Sequence, residues 1–162
     1  MPPTIHISQF GEYLSRHVVD VFATVLSLPS NLSEKTPAPS ASARVSGLVG
    51  FVGEAVAGTI YIHFSEPFAR RATAAMLGLT LDEITSKAEV NGAVGEVANL
   101  LTGGLKAWLS QAGVACAMSA PAIIRGTSFT IAPMPDMEWE TLVFESGDEF
   151  VVVEILVQLT QG

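Results

Sequence analysis

The amino-acid sequence predicts an α+β fold, a mainly antiparallel sheet with helices packed on one face. Two observations lead to this prediction. The first is the order of the predicted elements, which is a helix, a hairpin, two helices and then several strands. The second is a length of 162 residues with 49% hydrophobic and 15% charged residues, which suits one well-packed domain over residues 1–162.

The first predicted element is an amphipathic helix over residues 8–28. Its apolar residues recur at three- and four-residue steps, and the helix ends before Pro29. His17 lies on or beside this apolar stripe, where we interpret it as a histidine at the edge of the core. Residues 29–43 are rich in proline, serine and alanine and are predicted to form a loop.

A hairpin and a second helix follow. Residues 44–52 and 57–64 have strand character around a turn at Gly53 and Glu54. Pro67 then suits the first turn of a helix that runs to Gly78, a residue suited to a C-cap. Residues 79–87 connect this helix to the next one.

The chain after Gly113 is predicted to be mostly extended. Residues 114–118 and 121–126 look like extended chain broken by proline. Strand character returns in three further segments, and the last two of these are predicted to form a hairpin across residues 146–148. The three segments are residues 129–132, 137–144 and 149–159.

The helix over residues 88–111 is the element around which the function can be argued. At about 100° per residue, six apolar side chains fall within one narrow arc, which predicts the buried side of the helix. These residues are Val90, Val94, Val97, Leu101, Leu105 and Trp108.

The opposite side of this helix carries Glu96 and Asn99, which are neighbours on the helix surface, among very small residues such as Gly92 and Gly103. Glycine within a helix costs roughly 0.5–1 kcal/mol relative to alanine, so these positions favour the absence of a side chain. One interpretation is the close approach of another protein. The other is a solvated face with glycines that serve internal packing, and periodicity alone leaves both open.

Composition and motifs exclude several functions. The net charge of −8 excludes a nucleic-acid partner, which would need clustered basic residues. The chain has no glycine-rich phosphate loop and no histidine or cysteine set with metal-ligand spacing. It also shows neither a secretion signal nor a membrane span. The single cysteine, Cys116, indicates a reducing compartment, for which the cytoplasm fits best.

Several motifs in this order carry a resemblance to a known family. They are Glu96-x-x-Asn99 on a central helix, Gly103 and Lys106 after it, and Pro121-x-Ile-Ile-x-Gly126. Together with the glycine-rich hairpin and the helix that ends Met-Leu-Gly, the chain resembles the CheX branch of the CheC/CheX/FliY chemotaxis phosphatases. The likeness covers nearly the whole chain.

The resemblance implies a function, a partner and a site. The family removes the phosphoryl group from the aspartate of a CheY-like receiver protein. In that scheme Asn99 orients the attacking water and Glu96 pairs with the receiver's lysine. The receiver supplies Mg²⁺, so no cofactor is expected on this chain. The resemblance also implies one site per subunit in a homodimer.

The glycines of the helix then take a role in docking the receiver. They allow a bulky partner to come close enough for Asn99 to reach the phosphoryl group. We assign partner docking to Gly92, Gly95, Gly103 and Lys106.

One position departs from the family pattern. Four residues before the glutamate, where the family usually has Asp or Ser, this chain has Gly92, with Asn91 beside it. This departure keeps open a second hypothesis, a non-catalytic adaptor that binds receivers or flagellar and chemotaxis components. A third is a structural dimer in which Glu96 and Asn99 are ordinary helix surface.

Overall fold

The computed structural model describes residues 4–35 and 43–160, in which three α-helices and seven strands are formed. The helices are α1 (Ile7–Val25), α2 (Glu66–Leu77) and α3 (Lys87–Gln111), and a 3₁₀ turn spans Leu81–Glu83. The strands are β1 (Asn31–Ser33), β2 (Arg44–Val52), β3 (Val56–Ser65), β4 (Ala117–Met118), β5 (Ala122–Gly126), β6 (Glu138–Ser146) and β7 (Glu149–Leu159).

All seven strands belong to one antiparallel sheet. Its order is β1-β6-β7-β3-β2-β4, and β5 pairs with β2 beside β4. The two predicted hairpins are confirmed: Val52 lies opposite Ala57 across the first turn, and Ser146 lies opposite Glu149 across the second. Gly147 of the second turn has φ of 60°, a conformation that glycine adopts without steric cost.

The three helices cover one face of this sheet, as predicted. Alternate residues of each long strand point to that face, since side chains of a strand alternate between its two sides. In β7 these are Val151, Val153, Ile155 and Val157, all buried. They meet Phe10, Leu14, Val18 and Phe22 of α1 and the apolar stripe of α3 in a single hydrophobic core.

The helix α2 begins and ends at the residues that the sequence indicates. The Ser65 hydroxyl accepts a hydrogen bond from the N–H of Phe68, and Pro67 occupies the first turn. Gly78 follows the last helical residue with φ of 66°, the left-handed conformation typical of a helix C-cap. This helix therefore agrees with its prediction at both ends.

The structure differs from the predictions in two segments. Part of the predicted loop 29–43 forms β1, a three-residue edge strand paired with β6, while residues 36–42 lie outside the described residues. The prediction of a strand over residues 129–132 is wrong. There the Phe129 carbonyl accepts a hydrogen bond from the guanidinium of Arg44, and the Phe129 ring lies beside His63. These contacts hold the segment in an irregular path between β5 and β6.

Candidate functional site

The helix α3 begins at a complete capping box. The Ser86 hydroxyl accepts from the N–H of Glu89, and the Glu89 carboxylate accepts from the N–H of Ser86. The Thr85 N–H, followed by the Ser86 hydroxyl, holds the pKa of Glu89 below its usual range. The start of the helix is therefore specified by local sequence, since all three residues lie within five positions.

The inner side of α3 packs closely on the sheet. Five of the six predicted stripe residues are buried, and Trp108 is half-buried against the rings of Phe10 and Tyr13 of α1. An added Cβ at Gly47 of β2 would lie 3.0 Å from the Val94 carbonyl oxygen. The missing side chain at Gly47 thus lets the backbone of α3 lie directly on the strand.

The outer side of α3 presents the two polar side chains of the motif. Glu96 is exposed and Asn99 is half-buried. Neither side chain has a hydrogen-bond or ion-pair partner among the residues that the structure describes. Gly92 and Gly103 also face this side, and an added Cβ at either would meet nothing within 4 Å. The carboxylate and the amide are therefore open to a partner, with no longer side chain at either glycine to keep that partner away.

Gly95 does not belong to this outer face. It is buried, and an added Cβ would lie 3.6 Å from Pro121 and 3.9 Å from Ile123 on β5. The assignment of Gly95 to partner docking stays a prediction, and the structure shows that β5 covers its side of the helix. The helical wheel places Gly95 about 100° from Glu96, and the sequence could not show that β5 covers that flank.

Lys106 is exposed and lies on the flank of α3 that faces Cys116. Burial raises the pKa of the Cys116 thiol, and the charge of Lys106 acts in the opposite direction. Because Lys106 is exposed, its side chain is available at the surface two helical turns beyond Asn99.

Asn91 does not replace the missing side chain at Gly92. The guanidinium of Arg125 on β5 donates through Nε to Asn91 Oδ1 at 2.7 Å and through Nη2 to the Lys87 carbonyl at 3.4 Å. The Asn91 amide is therefore held on the sheet side of α3. The sequence analysis missed this role of Arg125, because nothing in the spacing of residues 91 and 125 indicates the contact.

A second polar cluster, also missed from the sequence, lies on the opposite face of the sheet. Ser46 Oγ is 2.6 Å from His63 Nδ1, and His63 Nε2 is 2.7 Å from Glu154 Oε2. Serine, histidine and carboxylate are the groups of a hydrolase triad, but the Ser46 hydroxyl is fully buried and no substrate could reach it. The cluster satisfies buried polar groups between β2, β3 and β7.

The described residues contain neither a metal-ligand cluster nor a membrane-spanning helix. Among residues 4–35 and 43–160, no group of three or more His, Cys, Asp and Glu residues could hold a metal ion. Within the same residues, no helix is both long and apolar enough to span a bilayer.

Comparison with known structures places the fold among CheX- and CheC-like chemotaxis proteins. The Vibrio vulnificus chemotaxis protein CheX is 26% identical, with 96% of this chain and 100% of that chain covered and a TM-score of 0.80. A CheC-like superfamily protein from Shewanella sp. PV-4 is 28% identical, with coverage of 95% and 99% and a TM-score of 0.75.

The family model described as "Chemotaxis phosphatase CheX" matches residues 45–154. This chain therefore belongs to the CheX family, which confirms the resemblance seen in the sequence. A Borrelia burgdorferi structure, a CheX-CheY-BeF3-Mg²⁺ complex, shares the fold at 20% identity, with coverage of 96% and 99% and a TM-score of 0.71. No curated protein sequence matches the chain.

Proposed function

We propose that this protein dephosphorylates the phosphoaspartate of a CheY-like receiver, with Asn99 orienting the attacking water and Glu96 pairing with the receiver's lysine. One observation carries the proposal. The carboxylate and the amide stand on the outer side of α3, without a partner among the described residues and with only glycines at positions 92 and 103. Membership of the CheX family supports the same activity.

In the proposed reaction, the main task of this chain is to hold the attacking water in line with the phosphoryl group. The water oxygen bonds to phosphorus as the bond between phosphorus and the aspartate oxygen breaks. The products are the receiver's carboxylate and inorganic phosphate, released as H₂PO₄⁻ with both protons of the water. Phosphoryl transfer depends mostly on alignment and electrostatics, so a neutral amide that fixes the water in line is a sufficient contribution from Asn99.

The metal belongs to the receiver in this proposal. Mg²⁺ bound there would neutralise charge on the phosphoryl oxygens, and this chain would bind no cofactor. The Borrelia burgdorferi complex of CheX and CheY contains BeF3 and Mg²⁺.

Assembly and location follow from the same proposal. We expect a homodimer with one site per subunit, acting in the cytoplasm where receivers are phosphorylated. Trp139 and Val52 are 57% and 60% exposed, so apolar surface is available for an interface. Light scattering after size-exclusion chromatography would give the mass of the particle, and a monomer at micromolar concentration would contradict this part.

The activity can be tested with phosphorylated receivers from the same genome. Decay of the phosphorylated receiver should accelerate in the presence of the wild-type protein. Asn99→Ala should abolish the acceleration, and Glu96→Ala should weaken it, while both variants keep the wild-type unfolding midpoint because the two side chains have no partner among the described residues. Unchanged decay of every cognate receiver with the wild-type protein would reject the proposal.

A non-catalytic adaptor is the second candidate, and the environment of Gly92 favours it. Position 92 offers no side chain, and Asn91 is already engaged by Arg125, so one docking contact of the family is absent. Tight binding of a beryllofluoride-loaded receiver without faster decay of the phosphorylated form would identify an adaptor. Lack of any receiver binding would exclude it.

A further inference from the structure

The first helix contacts α3 at the residue that follows Asn99. His17 Nε2 of α1 lies 3.1 Å from the carbonyl oxygen of Leu100. A carbonyl oxygen only accepts hydrogen bonds, so Nε2 carries a proton and donates it to this bond. Of the hydrogen bonds among the described residues, this is the one that reaches the backbone of residues 96–103 from another element.

The absence of a side chain at Gly104 makes this contact possible. A Cβ built at Gly104 would overlap the imidazole ring of His17. Glycine is unfavourable within a helix, so its presence there calls for a local reason. At Gly104 the reason is the imidazole, which occupies the space that a side chain on α3 would take.

Stacked rings fix the orientation of the imidazole. The ring of Tyr13 stacks on the ring of His17 with a centroid distance of 5.3 Å. It also stacks on the ring of Trp108 of α3, again at 5.3 Å. Phe10 completes the series with an edge contact to Trp108 at 5.4 Å. Contacts of this kind restrict the rings, so Nε2 is held toward the Leu100 carbonyl.

We infer that His17 is a positioning residue for the Asn99 amide, and the inference rests on the proposed phosphatase function. The Glu96 and Asn99 side chains have no partner among the described residues, so the backbone of their own turn sets where they point. His17 ties that turn to α1 through the carbonyl oxygen of Leu100. A shift of about 1 Å at a site that aligns reactants can lower a rate about 100-fold, so loss of a single anchor has a measurable effect.

The test separates catalysis from binding. His17→Phe keeps the ring stack and removes the donor, and we expect the rate of receiver dephosphorylation at saturation to fall roughly tenfold. The affinity for a beryllofluoride-loaded receiver should stay within about twofold of wild type, because the hydrogen bond that is lost goes to Leu100, which is not assigned to docking. His17→Gln restores an N–H donor and should recover part of the rate. Arg16→Ala, at an exposed neighbour on α1, serves as the control with wild-type rate and affinity.

Gly104→Ala tests the same contact from the other side. The added methyl group displaces the imidazole, so the rate should fall as in His17→Phe. Gly103→Ala places the same methyl group in open space and serves as a reference for helix stability alone, because Gly103 is itself assigned to partner docking. In ¹H–¹⁵N spectra the side-chain amide of Asn99 should shift in His17→Phe and Gly104→Ala and stay in place in Arg16→Ala.

The outcomes are distinguishable. An active wild-type protein with an unchanged rate and an unshifted Asn99 amide in His17→Phe would overturn this inference alone. Equal losses of rate and affinity, together with a lower unfolding midpoint, would mean a purely structural role and would also overturn it. A wild-type protein that accelerates no receiver's decay would reject the proposed function and this inference with it.

Discussion

The carboxylate of Glu140 on β6 lies against the backbone of Gly11 on α1. A Cβ added at Gly11 would overlap the carboxylate, and Glu140 Oε2 is buried without a hydrogen-bond partner among the described residues. Burial raises the pKa of Glu140 above its usual range. The contact between α1 and the sheet therefore includes a carboxyl group, and the folded state is more stable when this group is protonated.

Glu140→Gln should stabilise the protein at neutral pH and leave it unchanged in acid. A raised pKa in the folded state means that the contribution of Glu140 to stability is fully present below the ordinary carboxyl pKa. This contribution is lost as the pH rises through the raised value. The gain at pH 7 should be on the order of 0.5 kcal/mol, since solvent reaches part of the carboxylate. Thermal unfolding between pH 4 and 8 measures it. Glu138→Gln, which changes the same charge at an exposed position of β6, should show no such pH dependence.

Glu89→Gln should have the opposite dependence on pH. Hydrogen bonds from Thr85 and Ser86 lower the pKa of Glu89, so its stabilising effect is present above the ordinary carboxyl pKa and is lost as the pH falls through the lowered value. The variant should unfold at a lower temperature at pH 7, and the difference should shrink in acid. An equal difference at pH 7 and pH 3 would contradict the role of the capping box.

Two glycines at the packing surfaces of α3 should respond differently to alanine. At Gly47 an added methyl group would be 3.0 Å from the Val94 carbonyl, so α3 must move and stability should fall by about 1–3 kcal/mol. At Gly95 the nearest atom is 3.6 Å away, an ordinary contact, so alanine should stabilise α3 by roughly 0.5–1 kcal/mol. Urea unfolding of both variants provides the comparison. Equal losses of stability would show that the space between Gly95 and β5 does not accept a methyl group.

Gly92→Ser should strengthen receiver docking. An added side chain at this position meets nothing within 4 Å, and serine restores a residue type that is usual for the family. We expect the concentration of phosphorylated receiver at half-maximal rate to fall about threefold, corresponding to roughly one weak hydrogen bond. Gly92→Ala adds bulk without a polar group and is the matched control. If both variants change the half-maximal concentration equally, the hydroxyl is not a docking contact.

Ser46→Ala should leave dephosphorylation unchanged and reduce stability by about 1–2 kcal/mol. The hydroxyl pairs with His63 on the sheet face opposite α3, and its loss leaves a buried imidazole nitrogen without a partner. Receiver decay and thermal unfolding, measured on the same sample, test the two statements. A large loss of rate at wild-type stability would mean that this cluster takes part in the chemistry.

The sequence determined the helices, both hairpins and the candidate motif. Helix α3 is specified locally, by the capping box at its start and by the apolar spacing along its length, so its two sides could be assigned from residue order alone. The same periodicity placed Glu96 and Asn99 on the outer side. The resemblance of the motif and its surroundings to the CheX family then indicated the activity.

Only the tertiary structure decided which surfaces of α3 are covered. Gly92, Gly95, Gly103 and Gly104 look alike in the sequence, yet two face open space, one faces Pro121 and one receives His17. The contacts of Arg125 with Asn91 and of Ser46 with His63 also join residues distant in the chain. Helical periodicity specifies the direction of a side chain relative to its own axis, whereas its neighbours depend on how the other elements pack, and that is a property of the whole fold.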